Sequence, residues 1–241
     1  MLRITFDGPD GVGKTNLINA LAHTLTKAPY RYGPLSMNKK LMIFREPYDW
    51  FPVEDMTWEN VEAAKKLIRG TKLTRAQFDT FTRYRSLMLD SIEGLLLSLP
   101  YRHDVIVLQD RSVVSTIAYN MGGDASPPGW EDIVAPCGII LLGPKKRPDD
   151  APLDEIDADE ILQMRVRRVF EMLPRYIPSV DGFALIKVES QETAFDIVMD
   201  EIGRRTGIWP DRPNGRVLRY DRPPAGTTFQ EVLPWLYAAG R

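Results

Sequence analysis

The chain is poor in sulfur and imidazole. Its 241 residues include one cysteine, Cys137, and two histidines, His23 and His103. A single thiol excludes an internal disulfide, fits a reducing compartment and is expected as a buried core side chain. So few Cys and His also exclude a metal cluster built from them. An excess of one charge is equally lacking. Lys and Arg number 31 against 33 Asp and Glu, a formal net charge of −2. No global field therefore draws the protein to nucleic acid or to an anionic membrane, although a local basic cleft is compatible with this balance. The longest apolar stretches are too short to span a bilayer, and the first residues read as a strand, not as a basic segment leading into a long apolar one. The expectation is a soluble, cytoplasmic protein, long enough for one α/β domain with its own core.

What the sequence does have is a concentration of glycine near its start. Gly8-Pro9-Asp10-Gly11-Val12-Gly13-Lys14-Thr15 is a complete G-x4-G-K-[ST] phosphate loop. The apolar run 2–6 precedes it, and an amphipathic stretch with Leu17, Ile18, Leu21 and Leu25 follows. Strand, loop and helix in that order are the context the motif needs. Glycines let successive N–H groups point into one concavity, and the helix N-terminus adds positive potential. Gly8, Asp10, Gly11, Val12, Gly13, Lys14 and Thr15 are expected to cradle ATP. Lys14 would reach its β and γ phosphates, and the Thr15 hydroxyl would ligate Mg²⁺.

Short apolar runs at 2–6, 41–45, 104–109, 138–142 and 183–188 read as buried parallel strands. Helical patterns separate them. The longest, 74–99, opens on a Thr74/Gln77 capping box, carries Phe78, Phe81, Met88, Ile92, Leu95 and Leu99 at helical spacing, and exits at Pro100. A second helix is expected from Asp157, with Glu160 three residues on, to Leu173 before Pro174, and a third over 191–205. The alternation predicts an α/β, three-layer fold: a five-stranded parallel sheet flanked by helices, with ligands at the carboxyl ends of the strands. Residues 1–206 form the expected nucleotide-binding domain, with a Pro- and charge-rich lid at about 143–157. Residues 207–241 form an extension, rich in Pro, Arg and Gly and then amphipathic through Phe229, Val232, Leu233 and Leu236. It is expected to dock on the domain, the alternative being a partner.

Two constellations fall at the predicted ligand edge, and two more lie on the long helix and around the lid. After the third strand come Asp110-Arg111-Ser112, then Ser115, Thr116, Ala118 and Tyr119. Asp110 fits either the magnesium shell or the orienting of Arg111, whose planar fork suits a phosphate. The alternative is a strand-terminal aspartate capping the next helix beside a surface arginine. After the second strand, Arg45-Glu46-Pro47 offers a cation for an acceptor phosphate and a carboxylate that is either a base or a partner for an arginine; the alternative is a charged turn stiffened by proline. On the long helix, Phe81, Arg83, Tyr84 and Arg85 either stack on and hydrogen-bond a nucleobase or divide into core and solvated residues. Lys145-Lys146-Arg147 and then Arg165, Arg167 and Arg168 are either the extra cations that phosphoryl transfer needs or a solvated basic surface.

With these residues in view, the chain resembles the thymidylate kinase family of nucleoside monophosphate kinases from residue 2 to about residue 205. Phe6 to Thr15 is similar to that family's F-E-G-x-D-G-x-G-K-T, and Arg45-Glu46-Pro47 to its R-E-P. Phe81-Thr82-Arg83-Tyr84-Arg85 resembles F-x-x-D-R; Asp110-Arg111-Ser112 with Ser115, Ala118 and Tyr119 resembles D-R-Y-x-x-S-x-x-A-Y; Val188-Glu189-Ser190-Gln191 resembles the D-A-S-Q turn near the adenine. The resemblance implies a P-loop kinase fold and a role for each matching residue. Asp10 would meet the acceptor sugar 3′-hydroxyl or magnesium, and Arg45 and Arg111 would hold the acceptor monophosphate. Phe81 would stack on the base, Arg85 would bond its edge, Thr116 would lie near it, and Tyr119 would crowd the sugar 2′ position. Ser190 and Gln191 would line the adenine. Gly11 stands where some members carry a catalytic arginine, which assigns that role to Arg147 or Arg165. Tyr84, Ser112 and a lid without a dense R-x-R pattern depart from the family and leave thymine preference open. Asp110-Arg111-Ser112 and Glu46-Pro47 near Trp50 are also similar to the E-R-S and E-P-x-x-x-W motifs of deoxyribonucleoside kinases.

Together these readings predict ATP- and Mg²⁺-dependent transfer to a deoxynucleoside monophosphate, a pyrimidine or modified pyrimidine. Lys14, Arg111, Asp10 and a lid arginine would be catalytic, and Thr15 and Asp110 would hold the metal. The alternative acceptor is a hydroxyl, on a deoxynucleoside or on a 5-hydroxymethylpyrimidine in DNA, with Glu46 or Asp10 as base. A non-catalytic nucleotide-binding module is the third reading. The family resemblance also implies a homodimer through the long helices.

Overall fold

A computed structural model describes residues 2–27, 40–46, 57–68, 74–77, 79–80, 83, 105–123, 138–143, 158–177 and 186–206. Strand β1 (Leu2–Asp7) is the middle of the sheet, and the residue pattern shows why. Leu2, Ile4 and Phe6 alternate with Thr5 and Asp7, and all five are buried, as a strand covered on both faces requires. Helix α1 (Lys14–Lys27) follows the phosphate loop, then β2 (Lys40–Arg45), α2 (Trp58–Ile68), β3 (Val105–Asp110), α3 (Val113–Gly122) and β4 (Gly138–Leu141). Helix α4 (Glu160–Met172) runs into a 3-10 turn at Leu173–Arg175, and β5 (Ile186–Val188) and α5 (Gln191–Thr206) complete the described chain.

The strand order is β2-β3-β1-β4-β5, and every pair is parallel. Register brings one edge together: Phe6 and Arg45 both face Asp110, and Asp7 faces Ile140. Helices cover both faces. Leu17, Ile18, Leu21 and Leu25 of α1 and Ala194, Val198 and Ile202 of α5 pack with Ile4, Phe6, Ile139 and Leu141. Ile117 and Tyr119 of α3 and Val166, Val169 and Phe170 of α4 pack with Ile140 and Leu142 on the other side. The result is the expected three-layer α/β fold.

Most element boundaries agree with the sequence pattern to within a residue or two. Helix α4 starts later than expected, at Glu160, because Asp159 rather than Asp157 caps it, accepting from Leu162 N at 2.9 Å. The Thr74/Gln77 capping box is present: Thr74 N donates to Gln77 Oε1 at 2.9 Å, and Gln77 N donates to Thr74 Oγ1 at 3.3 Å. Helix α2 was not anticipated, although Val61, Ala64 and Ile68 bury one side of it. The remainder of the long helix, most of the lid, Cys137 and the extension 207–241 lie outside the described residues. No helix among the described residues is long and apolar enough to cross a membrane.

Candidate active site

The phosphate loop leaves β1 through backbone that only glycine accepts easily. Gly8 has φ 136° and Gly13 has φ 90°. A Cβ on Gly8 would lie 2.1 Å from Leu141 O, and one on Gly13 would lie 2.1 Å from Gln191 Nε2. Helix α1 then starts at Lys14, with Leu17 N donating to Gly13 O at 3.0 Å. The Lys14 ammonium is buried and donates to Gly8 O at 3.1 Å and Pro9 O at 2.6 Å. Burial, reinforced by the positive charge of Arg111, lowers its pKa from 10.5 to about 8; Asp10, Asp110 and Asp7 oppose that shift.

Beside the lysine, Thr15 Oγ1 donates to Asp110 Oδ2 at 3.0 Å. A hydroxyl and a carboxylate at the mouth of a phosphate loop are the hard oxygen donors that suit Mg²⁺. Among the described residues, no group of three or more His, Cys, Asp or Glu gathers to hold a metal. Arg45 flanks the same edge, facing Asp110 in register, and its guanidinium donates to Asn19 Oδ1 of α1 at 2.9 Å.

Arg111 dominates the other side of the loop. Among the described residues it is the non-glycine residue with positive φ, 71°, and its N–H donates to Phe6 O at 3.0 Å. That left-handed turn sends the side chain back over the loop. There it pairs with the Asp10 carboxylate and donates to Gly8 O at 3.4 Å and Ser115 Oγ at 3.3 Å. Its carbon lies 5.6 Å from the centroid of the Tyr119 ring, and the Tyr119 hydroxyl donates to the second oxygen of Asp10. Burial works against the charge of Arg111. Asp10 above all, then Tyr119, Asp110 and Asp7, outweigh it and hold its pKa above the ordinary value. Tyr119 is itself held edge-on against Phe170, with ring centroids 6.4 Å apart.

Two buried polar groups beneath Arg111 were not anticipated. Asp7 accepts from Ser112 N at 2.9 Å, Ser112 Oγ at 2.6 Å, Ser115 N at 3.1 Å and Ser115 Oγ at 2.6 Å. It thereby fastens the start of α3, where Ser112 is the cap, to the end of β1. Gln109 joins Glu46 to the Arg111 turn, donating at 2.8 Å to Glu46 Oε1 and at 2.8 Å to Arg111 O. A carboxylate ending the strand that leads into the phosphate loop was the available signal for Asp7. Glu46 and Thr116 are both buried.

On the far side of the loop, Ser190 caps α5, accepting from Thr193 N at 3.2 Å, and Gln191 Nε2 reaches Val12 O at 3.4 Å. The expected adenine turn therefore abuts the phosphate loop. On α4, Arg165 lies on the exposed side, whereas Arg167 donates to Gly143 O at 3.4 Å, at the end of β4. Phe81, Arg85 and Arg147 lie outside the described residues.

No protein-family model matches the chain, and no curated protein matches it. Among solved structures, the chain is similar to a thymidylate kinase from Ehrlichia chaffeensis, at 19% identity and a TM-score of 0.45 over 83% of this chain and 98% of that one. It is also similar to a thymidylate kinase from Candida albicans, at 14% identity and a TM-score of 0.46 over 85% of this chain and 92% of that one.

Proposed function

We propose that the protein transfers the γ-phosphoryl group of ATP to the phosphate of a deoxynucleoside monophosphate, with a pyrimidine or modified pyrimidine base. The observation that carries this reading is the placement of Arg111, a buried and fixed guanidinium paired with Asp10 across the loop from Thr15 and Asp110. Thr15 and Asp110 would thus serve as oxygen ligands for a cation, and Arg111 as a planar cation suited to a second phosphate.

An acceptor phosphate is largely ionised at neutral pH, its second pKa being about 6, so the reaction needs positioning and charge more than a strong base. An oxygen of the acceptor attacks the γ phosphorus, the bond to the β–γ bridging oxygen breaks, and ADP leaves. Lys14 sits in the glycine cradle where the β and γ phosphates would lie and would follow the charge as it develops. Mg²⁺ held by Thr15 and Asp110 would neutralise the same oxygens. Arg111 would orient the acceptor phosphate. Asp10, held by Arg111 and Tyr119, would receive the sugar 3′-hydroxyl, and the buried Tyr119 ring would leave little room for a 2′-hydroxyl. Arg167 of α4, bonded to Gly143 O just past β4, would join Arg165 and Arg147 as a source of charge from the lid side.

The test is transfer from labelled ATP with Mg²⁺ to deoxynucleoside monophosphates, free deoxynucleosides, and DNA with normal or hydroxymethylated pyrimidines. Turnover of a monophosphate is expected. Transfer confined to a nucleoside or to DNA would overturn the acceptor assignment and move Glu46 or Asp10 into the role of base.

A further inference from the structure

Gln109 precedes Asp110 on β3, and alternation along the strand turns their side chains to opposite faces. While Asp110 meets Thr15, Gln109 is fully buried, and every polar atom of its amide is engaged. Oε1 accepts from Arg3 Nε at 2.7 Å. The two hydrogens of Nε2 go to Glu46 Oε1 at 2.8 Å and to the carbonyl of Arg111 at 2.8 Å. The cationic donor on one end fixes the amide's orientation, so the other end must face acceptors.

Both acceptors belong to turns at the ligand edge. Glu46 follows Arg45 directly, and its N–H extends the sheet ladder by donating to Asp110 O at 3.3 Å. Arg111 holds a left-handed backbone, which a residue with a side chain keeps only where its surroundings fix it. Phe6 O fixes its N–H, and Gln109 fixes its carbonyl. A single amide therefore ties the turn bearing Arg45 and Glu46 to the turn bearing Arg111.

We propose that Gln109 is a positioning residue for the acceptor: through its amide it sets the Arg45–Glu46 turn against the left-handed Arg111. The kinetic side of this inference rests on the phosphoryl-transfer reading; the conformational side does not.

The test uses the full-length protein with Gln109→Met, which keeps the length and bulk. With Gln109→Met, kcat/KM for the acceptor is expected to fall about 10- to 100-fold, as for other groups that orient a ligand-binding side chain. KM for ATP should stay within about twofold. A crystal structure of Gln109→Met should show Arg111 out of its positive φ and parted from Asp10. Unchanged acceptor kinetics with Arg111 in place would overturn the proposal, as would equal losses toward ATP and acceptor. If the parent protein phosphorylates no acceptor, the functional reading falls and the crystal structure alone decides: Arg111 displaced supports the proposal, and Arg111 unmoved ends it.

Discussion

The Arg111 guanidinium is paired with the Asp10 carboxylate, although one residue follows β3 and the other lies within the phosphate loop. Both are largely shielded, with side-chain exposures of 10% and 19%, so water screens the pair weakly. Arg111→Ala removes the fork proposed to hold the acceptor and breaks the pair with Asp10. Acceptor kcat/KM should drop by about 10²-fold or more, while KM for ATP moves by less than about threefold. Arg111→Lys should recover only a small part, because an ammonium cannot reproduce the fork. Steady-state kinetics with each substrate varied in turn settles this. Parallel losses for both substrates would show that Arg111 does not act on the acceptor.

Thr15 and Asp110 make the corresponding prediction for the cation. Asp110→Asn keeps the shape and the bond from Thr15 but removes the charge. The Mg²⁺ concentration for half-maximal activity should rise by roughly tenfold or more. A magnesium titration of rate for both proteins is the measurement. An unshifted midpoint would remove Asp110 from the metal role and return it to orienting its neighbours.

The phosphate loop was legible because its chemistry is local: strand, glycines, lysine and threonine are contiguous. The sheet was legible as a class for a similar reason, since alternating apolar runs and helical periods are local patterns. Strand order is different. It depends on pairings such as Phe6 with Asp110, which no local pattern encodes. Asp7 and Gln109 were missed because a polar residue in an apolar strand reads as an interruption until its partner is known, and the serines that hold Asp7 lie 105 and 108 residues away. Arg165 and Arg167 carry the same chemistry but stand about 200° apart around the helix, so the choice between them depends on which face of α4 is buried. Val166, Val169 and Phe170 define that face, and Arg167 turns toward Gly143.

Asp7 leads to a prediction about stability. Asp7→Ala would leave the Ser112 N–H and the hydroxyls of Ser112 and Ser115 without this acceptor, while the Ser115 N–H keeps the carbonyl of Ser112, in a region where all three residues are buried. Each buried donor left unmet costs about 1–3 kcal/mol, and relaxation shares part of that, so a loss on the order of 3–5 kcal/mol is expected. Asp7→Asn keeps one acceptor oxygen and should lose about half as much or less. Urea unfolding of the three proteins measures the series. An Asp7→Ala midpoint equal to the parent's would mean that α3 is anchored by its apolar face alone.

Lys14 ties the loop to pH. Its folded pKa of about 8 lies below the unfolded value of 10.5, because burial and then Arg111 disfavour the ammonium. Between those values the unfolded chain binds more protons than the folded one, so this group makes stability rise with pH across that window. Below about pH 8 the cost of the buried charge is present in full. Lys14→Met removes the cost, and should be more stable than the parent at pH 7 by up to about 3 kcal/mol, with the gap closing toward pH 10. ATP reverses the balance, since its phosphates favour the ammonium. Its Kd for the parent should be flat up to about pH 8 and weaken above it as Lys14 loses its proton. Urea midpoints across pH 7 to 10, with ATP titrations over the same range, check both halves. A constant gap between the two proteins would mean that Lys14 keeps its ordinary pKa in the folded chain, and a pH-independent Kd would take Lys14 out of phosphate binding.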